Sequence, residues 1–384
     1  MRFLFTMLPG RSHLYPMVPL IRAVRLAGHQ VLVATSGSVV RPAAESGLPV
    51  VDIAAGQGTG ERYDKLMTDI LEPGLPDEAL MALMVDGYAE IGDRMADGIA
   101  RVARDWRAEA IVFEPGLAPG LIVARALGVP GIVHGVGLRH PTYWAMTRMG
   151  ATAKRLGLDG PPTHPDAEVN ISPDSLEALN DAPGEDEAVV QVLPMRPRPY
   201  NGSAQLPAWA LREGRRPRVV ATMGSAPSTS GEGFLLTDIV HGTAELGVEL
   251  IITAGDAELS ALPDPLPEHV RLVGWIPLSE LLPTCDAVIH HGGMGTMSTA
   301  FATGTPQITV PPSGGSPAAH DVTEQRGAGL TVYPSDLTPD GLATTLRTLL
   351  STPSYRTASA EVAAEMAAMP SPTEVVSRLT ELAG

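Results

Sequence analysis

Residues 285–304 read CDAVIHHGGMGTMSTAFATG. Ala287-Val288-Ile289 is a short apolar run of the kind that forms a fully buried parallel strand. It ends at His290-His291-Gly292-Gly293-Met294-Gly295-Thr296, after which Met297, Ala300 and Phe301 recur at helical spacing. Gly304, with Pro306 two residues on, stops that helix. A strand therefore feeds a glycine turn, and the turn feeds a helix N-terminus. Unpaired amide N–H groups and the positive end of the helix dipole meet there, which suits an anion. The glycines let the backbone approach closely, Thr296 adds a hydroxyl, and the histidines add imidazole nitrogens where a phosphate oxygen would sit. The plainer reading is an ordinary strand-to-helix connection, since glycine turns are common in α/β folds. Paired histidines directly before the glycines speak against it.

The stretches on either side extend the pattern. Strands are predicted at Arg218–Thr222, Glu249–Thr253 and Val270–Val273 before the motif, and at Ile308–Val310 and Leu330–Tyr333 after it, with a helical tail from Thr338. In a parallel sheet the strand C-termini share one edge, and ligands bind there. Three turns would then converge: Gly224-Ser225, Gly274-Trp275-Ile276-Pro277 and His291 to Thr296. Trp275 offers a flat face to a nucleobase; a core or interface tryptophan is the alternative. The first half opens as a second Rossmann-like unit, with a strand Arg2–Leu8, a helix Pro16–Ala27 closed by Gly28, and a strand Gln30–Thr35. Its first turn, Pro9 to Pro16, lacks GxGxxG, which counts against a nicotinamide or flavin cofactor. Residues 53–80 read as a glycine-rich loop over a cleft, and 80–107 as a long helix. A strand Ala110–Phe113, a helix Pro119–Leu127 and a strand Gly131–His134 follow, and between 150 and 190 the pattern weakens. Prolines, glycines and arginines crowd residues 194–217, a linker signature. The expectation is two domains, 1–195 and 217–384, joined by a linker at 196–216.

The 384 residues allow two cores, and 44% hydrophobic with 18% charged residues fit a globular enzyme. A formal charge of −16 argues against a nucleic-acid partner. The single Cys285 excludes an internal disulfide and fits a reducing cytoplasm, the expected location. The opening MRFLFTMLPG is too short an apolar run for a secretion signal, and no run of about 18 apolar residues suggests a membrane span.

The motif HHGGxGTxxxAxxxGxPQ resembles the donor diphosphate motif of bacterial glycosyltransferases with the two-Rossmann-domain (GT-B) fold, specifically those that glycosylate polyketide natural products. Gly10-x-x-His13-x-x-Pro16-x-x-Pro19-Leu20, ending Ala27-Gly28-His29, resembles the acceptor-side motif of the same family. The likeness runs through Pro199-Tyr200-Asn201-Gly202, Pro207 and Trp209 to Met369-Pro370-Ser371-Pro372.

The resemblance implies an α/β protein whose two Rossmann-like domains face each other across a cleft. It implies an inverting, metal-independent transfer of a sugar to an aglycone, O- or C-linked, in antibiotic biosynthesis. His13 would be the general base. Glu114 stands where the family usually has an aspartate, so its role as the partner of His13 competes with that of a solvated or capping residue. Gly224, Ser225, Trp275, Ile276, His291, Gly292, Gly293, Gly295 and Thr296 would bind the donor. Most of the family carries an Asp-Gln pair for the sugar hydroxyls; here Gly315-Ser316 occupies those positions, which points to a thymidine-diphosphate deoxysugar. Met67, Met84, Tyr88, His134 and Trp144 are the expected acceptor-pocket residues, with core filling an equal reading for any one methionine. No resident cofactor or metal is expected, and the partners are the aglycone and the nucleotide sugar, with a homodimer left open. The rival readings are a nucleotide-sugar epimerase or hydrolase of the same fold, or an inactive nucleotide-sugar-binding helper.

Overall fold

The computed structural model describes residues 1–70, 76–140, 143–180, 190–224, 232–253, 259, 262–311, 317–333 and 335–383. Two parallel sheets carry the chain. The first contains β1 (Arg2–Thr6), β2 (Gln30–Thr35), β3 (Val50–Asp52), β4 (Ala110–Phe113), β5 (Gly131–His134), β6 (Ala167–Asn170) and β7 (Gln191–Pro194), in the order β3-β2-β1-β4-β5-β6-β7. The second contains β8 (Arg218–Thr222), β9 (Glu249–Thr253), β10 (Val270–Val273), β11 (Ala287–His290), β12 (Gln307–Thr309) and β13 (Gly329–Thr331), in the order β10-β9-β8-β11-β12-β13.

Each sheet reverses its winding once, between β1 and β4 in the first and between β8 and β11 in the second. Such a switch point leaves a crevice at the strand C-termini, because the connecting helices on its two sides depart in opposite directions. The register sets both crevices. Thr6 lies level with Phe113, and His290 is level with both Thr222 and Thr309. The central strands β4, β5, β8 and β11 are buried along their whole length, as helices on both faces of a parallel sheet require.

Two stretches differ from the sequence expectation. Residues 59–70 form a helix, Thr59–Ile70, in place of the expected loop. Tyr63, Leu66, Met67 and Ile70 supply an apolar stripe at helical spacing that packs on the long helix Asp77–Asp105, and the neighbouring glycines had obscured it. Residues 71–75 lie outside the described residues. The weak region holds β6, and β7 follows directly after it, four residues each. β6 carries Glu168, which reads as a surface residue, yet its carboxylate is 3% exposed and pairs with Arg139 at 2.7 Å.

The linker is pinned to the second sheet. Asn201 accepts the amide of Ser279 at 2.8 Å through its side chain and the indole N–H of Trp275 at 2.7 Å through its carbonyl. The chain then crosses back. Arg196 donates to the carbonyls of Pro370 and Met369, and the final helix Pro372–Ala383 lays Val375, Val376 and Leu379 into the core of the first sheet. Among the described residues no helix is long and apolar enough to cross a membrane.

Candidate active site

The first switch point brings His13 and Glu114 together. Leaving β1, the chain enters a one-turn helix, Arg11–Leu14, that carries His13; leaving β4, it reaches Glu114 at once. The Glu114 carboxylate is 1% exposed and accepts the amides of Gly116 at 2.7 Å and Leu8 at 3.3 Å. Its Oε2 lies 3.3 Å from His13 Nδ1. A buried carboxylate needs such partners, since an unsupported charge is costly to desolvate. Glu114 is therefore not solvated, and the helix that follows has Ala118 at its N-cap position, with no side-chain cap. With Nδ1 turned to the carboxylate, Nε2 is the nitrogen that His13 can offer a substrate. Tyr63 and Tyr88 stand edge-on to the imidazole at 5.6 and 6.0 Å. Burial pushes both phenols well above their ordinary range, so they remain protonated.

The second switch point builds the glycine turn. His290 is fully buried, with Nε2 donating to Gln307 Oε1 at 2.9 Å and Nδ1 accepting the Gly292 amide at 3.1 Å. That pair of bonds fixes its tautomer and the direction of the turn. His291 points the other way, into the cleft. Its ring lies where a Cβ on either Gly224 or Gly293 would be, so both glycines make room for it. Its Nδ1 is buried with no hydrogen-bond partner among the described residues. The helix Met294–Thr303 starts at Gly293 without a side-chain cap, leaving its first amides for a ligand, and Thr296 sits in that first turn.

Burial holds three of these imidazoles neutral. His134 and His291 fall to about 4, and His290 falls to about 3 with the neighbouring His291 as a second cause. Between the ordinary value of 6.5 and those values the unfolded chain binds more protons than the folded one. Stability is therefore full above about pH 6.5 and is lost as pH falls toward 4. We expect the melting temperature to drop between pH 7 and pH 5, and the drop to be shallower in His290→Asn. Equal slopes for the two proteins by scanning calorimetry would remove His290 from that account.

The two switch points face each other across a cleft of about 630 Å³. Its donor side presents Gly224, Trp275, Ile276, His291, Gly292, Gly293, Gly295 and Thr296; Ser225, Gly315 and Ser316 lie outside the described residues. The indole N–H of Trp275 is taken by the linker, while Arg11 stands over its ring at 5.0 Å and Tyr15 meets its edge. Trp275 is thus an interdomain residue whose ring also borders the cleft. The acceptor side is largely apolar, with Met67, Met84 and Tyr88 joined by Tyr63, Ile70 and Val136.

His134 does not line it. The imidazole is fully buried beneath the sheet edge and bonds the carbonyl of Gly135 at 2.6 Å, because β5 runs one residue further than an exposed pocket residue would allow. Trp144 falls in the short helix Tyr143–Met146, and its side chain is outside the described set. Sequence reasoning missed Arg11, Tyr63 and His140, which all border the cleft. Burial lowers the pKa of His140, with the charge of Glu114 working the other way. The turn PGRSHLYP contained Arg11, but nothing in its spacing aimed that residue across a domain boundary.

Residues 22–224 match the N-terminal domain, and residues 237–382 the C-terminal domain, of the erythromycin biosynthesis protein CIII-like family. An elloramycin glycosyltransferase of Streptomyces olivaceus is 35% identical over 99% of this chain and 97% of its own length. The crystal structure of the glycosyltransferase SnogD from Streptomyces nogalater superposes with a TM-score of 0.83 at 34% identity, covering 100% of this chain and 99% of that one. The glycosyltransferase SsfS6 of Streptomyces sp. SF2575, solved with thymidine diphosphate, gives 0.80 at 27% identity, covering 99% of both chains. The chain belongs to the erythromycin biosynthesis protein CIII-like family and is a GT-B glycosyltransferase of natural-product biosynthesis.

Proposed function

We propose that the protein moves a deoxysugar from a thymidine-diphosphate sugar to a polyketide-type aglycone, with inversion at the anomeric carbon. The observation that carries this reading is the opposition of two built sites across one cleft: His13 with Glu114 on one wall, and the His291 turn with its helix N-terminus on the other. His13 Nε2 takes the proton of the acceptor hydroxyl as the oxygen attacks the anomeric carbon. The bond from that carbon to the diphosphate oxygen breaks, and its electron pair leaves with the nucleotide. Glu114 stabilises the imidazolium that forms. The helix amides, His291 and Thr296 receive the developing charge on the diphosphate as fixed dipoles that need no reorganisation. For a C-linked product the same base would generate a phenolate, the ring carbon ortho or para to it would attack, and that carbon would then lose its proton to solvent, restoring the aromatic ring.

The apolar acceptor wall supports transfer over the hydrolase or epimerase reading, because water or a sugar has no use for methionine and tyrosine faces. The pairing of His13 with a buried carboxylate supports an active enzyme over an inert binding helper.

The donor reading rests on Gly315-Ser316 standing where the family's hydroxyl-binding pair would be. A fully hydroxylated hexose would bury hydroxyls without partners, at about 1–3 kcal/mol each. In a donor competition at fixed acceptor, thymidine-diphosphate deoxysugars should exceed uridine-diphosphate glucose by at least about 10-fold in kcat/KM, or 1.4 kcal/mol. Gly315→Asp/Ser316→Gln should narrow that preference. Equal turnover of the glucose donor by the wild type would sink the deoxysugar reading and leave the glycosyltransferase intact.

A further inference from the structure

Among the described residues the donor domain brings no lysine or arginine to the cleft. Residues 217–384 contain no lysine and six arginines. Five of these pair with carboxylates away from the cleft: Arg218 and Arg271 with Glu249, Arg326 with Glu361, Arg356 with Asp286, and Arg378 with Glu381. The sixth, Arg347, is exposed on the helix Pro339–Ser351 and does not border the cleft. Burial takes the His291 pKa down to about 4, so its imidazole carries no standing charge before a ligand binds. Residues 225–231, 254–258 and 312–316, outside the described residues, contain neither lysine nor arginine. The donor wall therefore has amide dipoles, a hydroxyl and a neutral imidazole to set against a leaving group of about two negative charges.

Among the described residues, the arginines that border the cleft are Arg11 and Arg198, and neither belongs to the donor domain. Arg11 lies two residues before His13 on the same one-turn helix. Its guanidinium already reaches the far wall, 5.0 Å from the centre of the Trp275 ring. Arg198, in the linker, also borders the separate groove formed with Arg22, Gly202 and Ser279.

We propose that Arg11 supplies the cation that the donor site lacks, pairing with the diphosphate from the acceptor domain. The proposal rests on the reading of the cleft as a nucleoside diphosphate site. A guanidinium presents parallel N–H groups that match two phosphate oxygens, a fit that a single point charge cannot make. Because this charge and the base are borne on one helical turn, their positions relative to the reacting atoms are set together. The leaving group is then fully stabilised only when the base is also in place.

The test is calorimetric titration of thymidine and of thymidine diphosphate into the intact protein and its Arg11→Gln, Arg11→Lys and Arg198→Gln variants. Arg11→Gln should weaken diphosphate binding about tenfold or more, flatten its dependence on salt, and leave thymidine binding within about twofold. Arg11→Lys should recover part of the loss, and Arg198→Gln should lose less than about twofold. In turnover assays Arg11→Gln should lower kcat as well as raise the donor KM, since the charge on the diphosphate grows toward the transition state. Unchanged diphosphate binding in Arg11→Gln, an equal loss for thymidine, or a loss that falls on Arg198→Gln instead would overturn the proposal. A wild type that binds no thymidine diphosphate would overturn this proposal together with the nucleotide reading of the cleft.

Discussion

His13→Ala should lower kcat by about 10²–10⁴, the range for a lost general base, with an acceptor whose hydroxyl has a high pKa. Nucleotide affinity should stay near that of the wild type, because His13 sits on the opposite wall from the glycine turn. Glu114→Gln should lose less than His13→Ala, because the base itself remains and only the charge that meets the imidazolium is gone. A strongly acidic phenol ionises unaided, so it should narrow the gap between wild type and variant. Wild-type turnover of a simple alcohol by His13→Ala would end the assignment of the base.

The second large effect concerns the space around His291. His291→Ala should weaken thymidine diphosphate binding by about 1–3 kcal/mol, the cost of a hydrogen bond to a charged group. Gly224→Ala should weaken it comparably without touching the ligand, because the new Cβ would occupy the place of the imidazole. Gly224 also has φ +78°, a left-handed conformation that a side chain strains. That strain should appear in the melting temperature, whereas the displaced imidazole should appear in affinity. The double variant separates the two: once the ring is gone, so are the atoms nearest to the added methyl. Its affinity should therefore match His291→Ala alone. Additive losses by calorimetry would mean that Gly224 serves only the backbone.

How much of this was legible beforehand depended on the range of the interactions. The strand Ala110–Phe113 was readable because four buried apolar residues in a row need no distant partner to be recognised. The proximity of Glu114 to His13 was readable because each follows directly on one of two strands that the Rossmann pattern places side by side. β6 was not, since Glu168 counts as a strand residue only once Arg139, far away in sequence, neutralises it. The stripe Tyr63, Leu66, Met67 and Ile70 was present in the letters, but the glycines at 56, 58 and 60 outweighed it. His134 failed for a register reason: the last residue of β5 is inside the sheet, and the pocket wall starts at Val136. Arg11 was out of reach altogether, because its target belongs to the other half of the chain.

The doubled crossing at Arg196 and Pro370 has a consequence for biosynthesis. The helix Val18–Leu26 is finished early, yet the side chains that cover it, Val375, Val376 and Leu379, belong to the last helix. On the ribosome the whole second sheet must be translated before that cover emerges. The first sheet therefore spends most of its synthesis with one oily flank open to water, where a nascent-chain chaperone would find it.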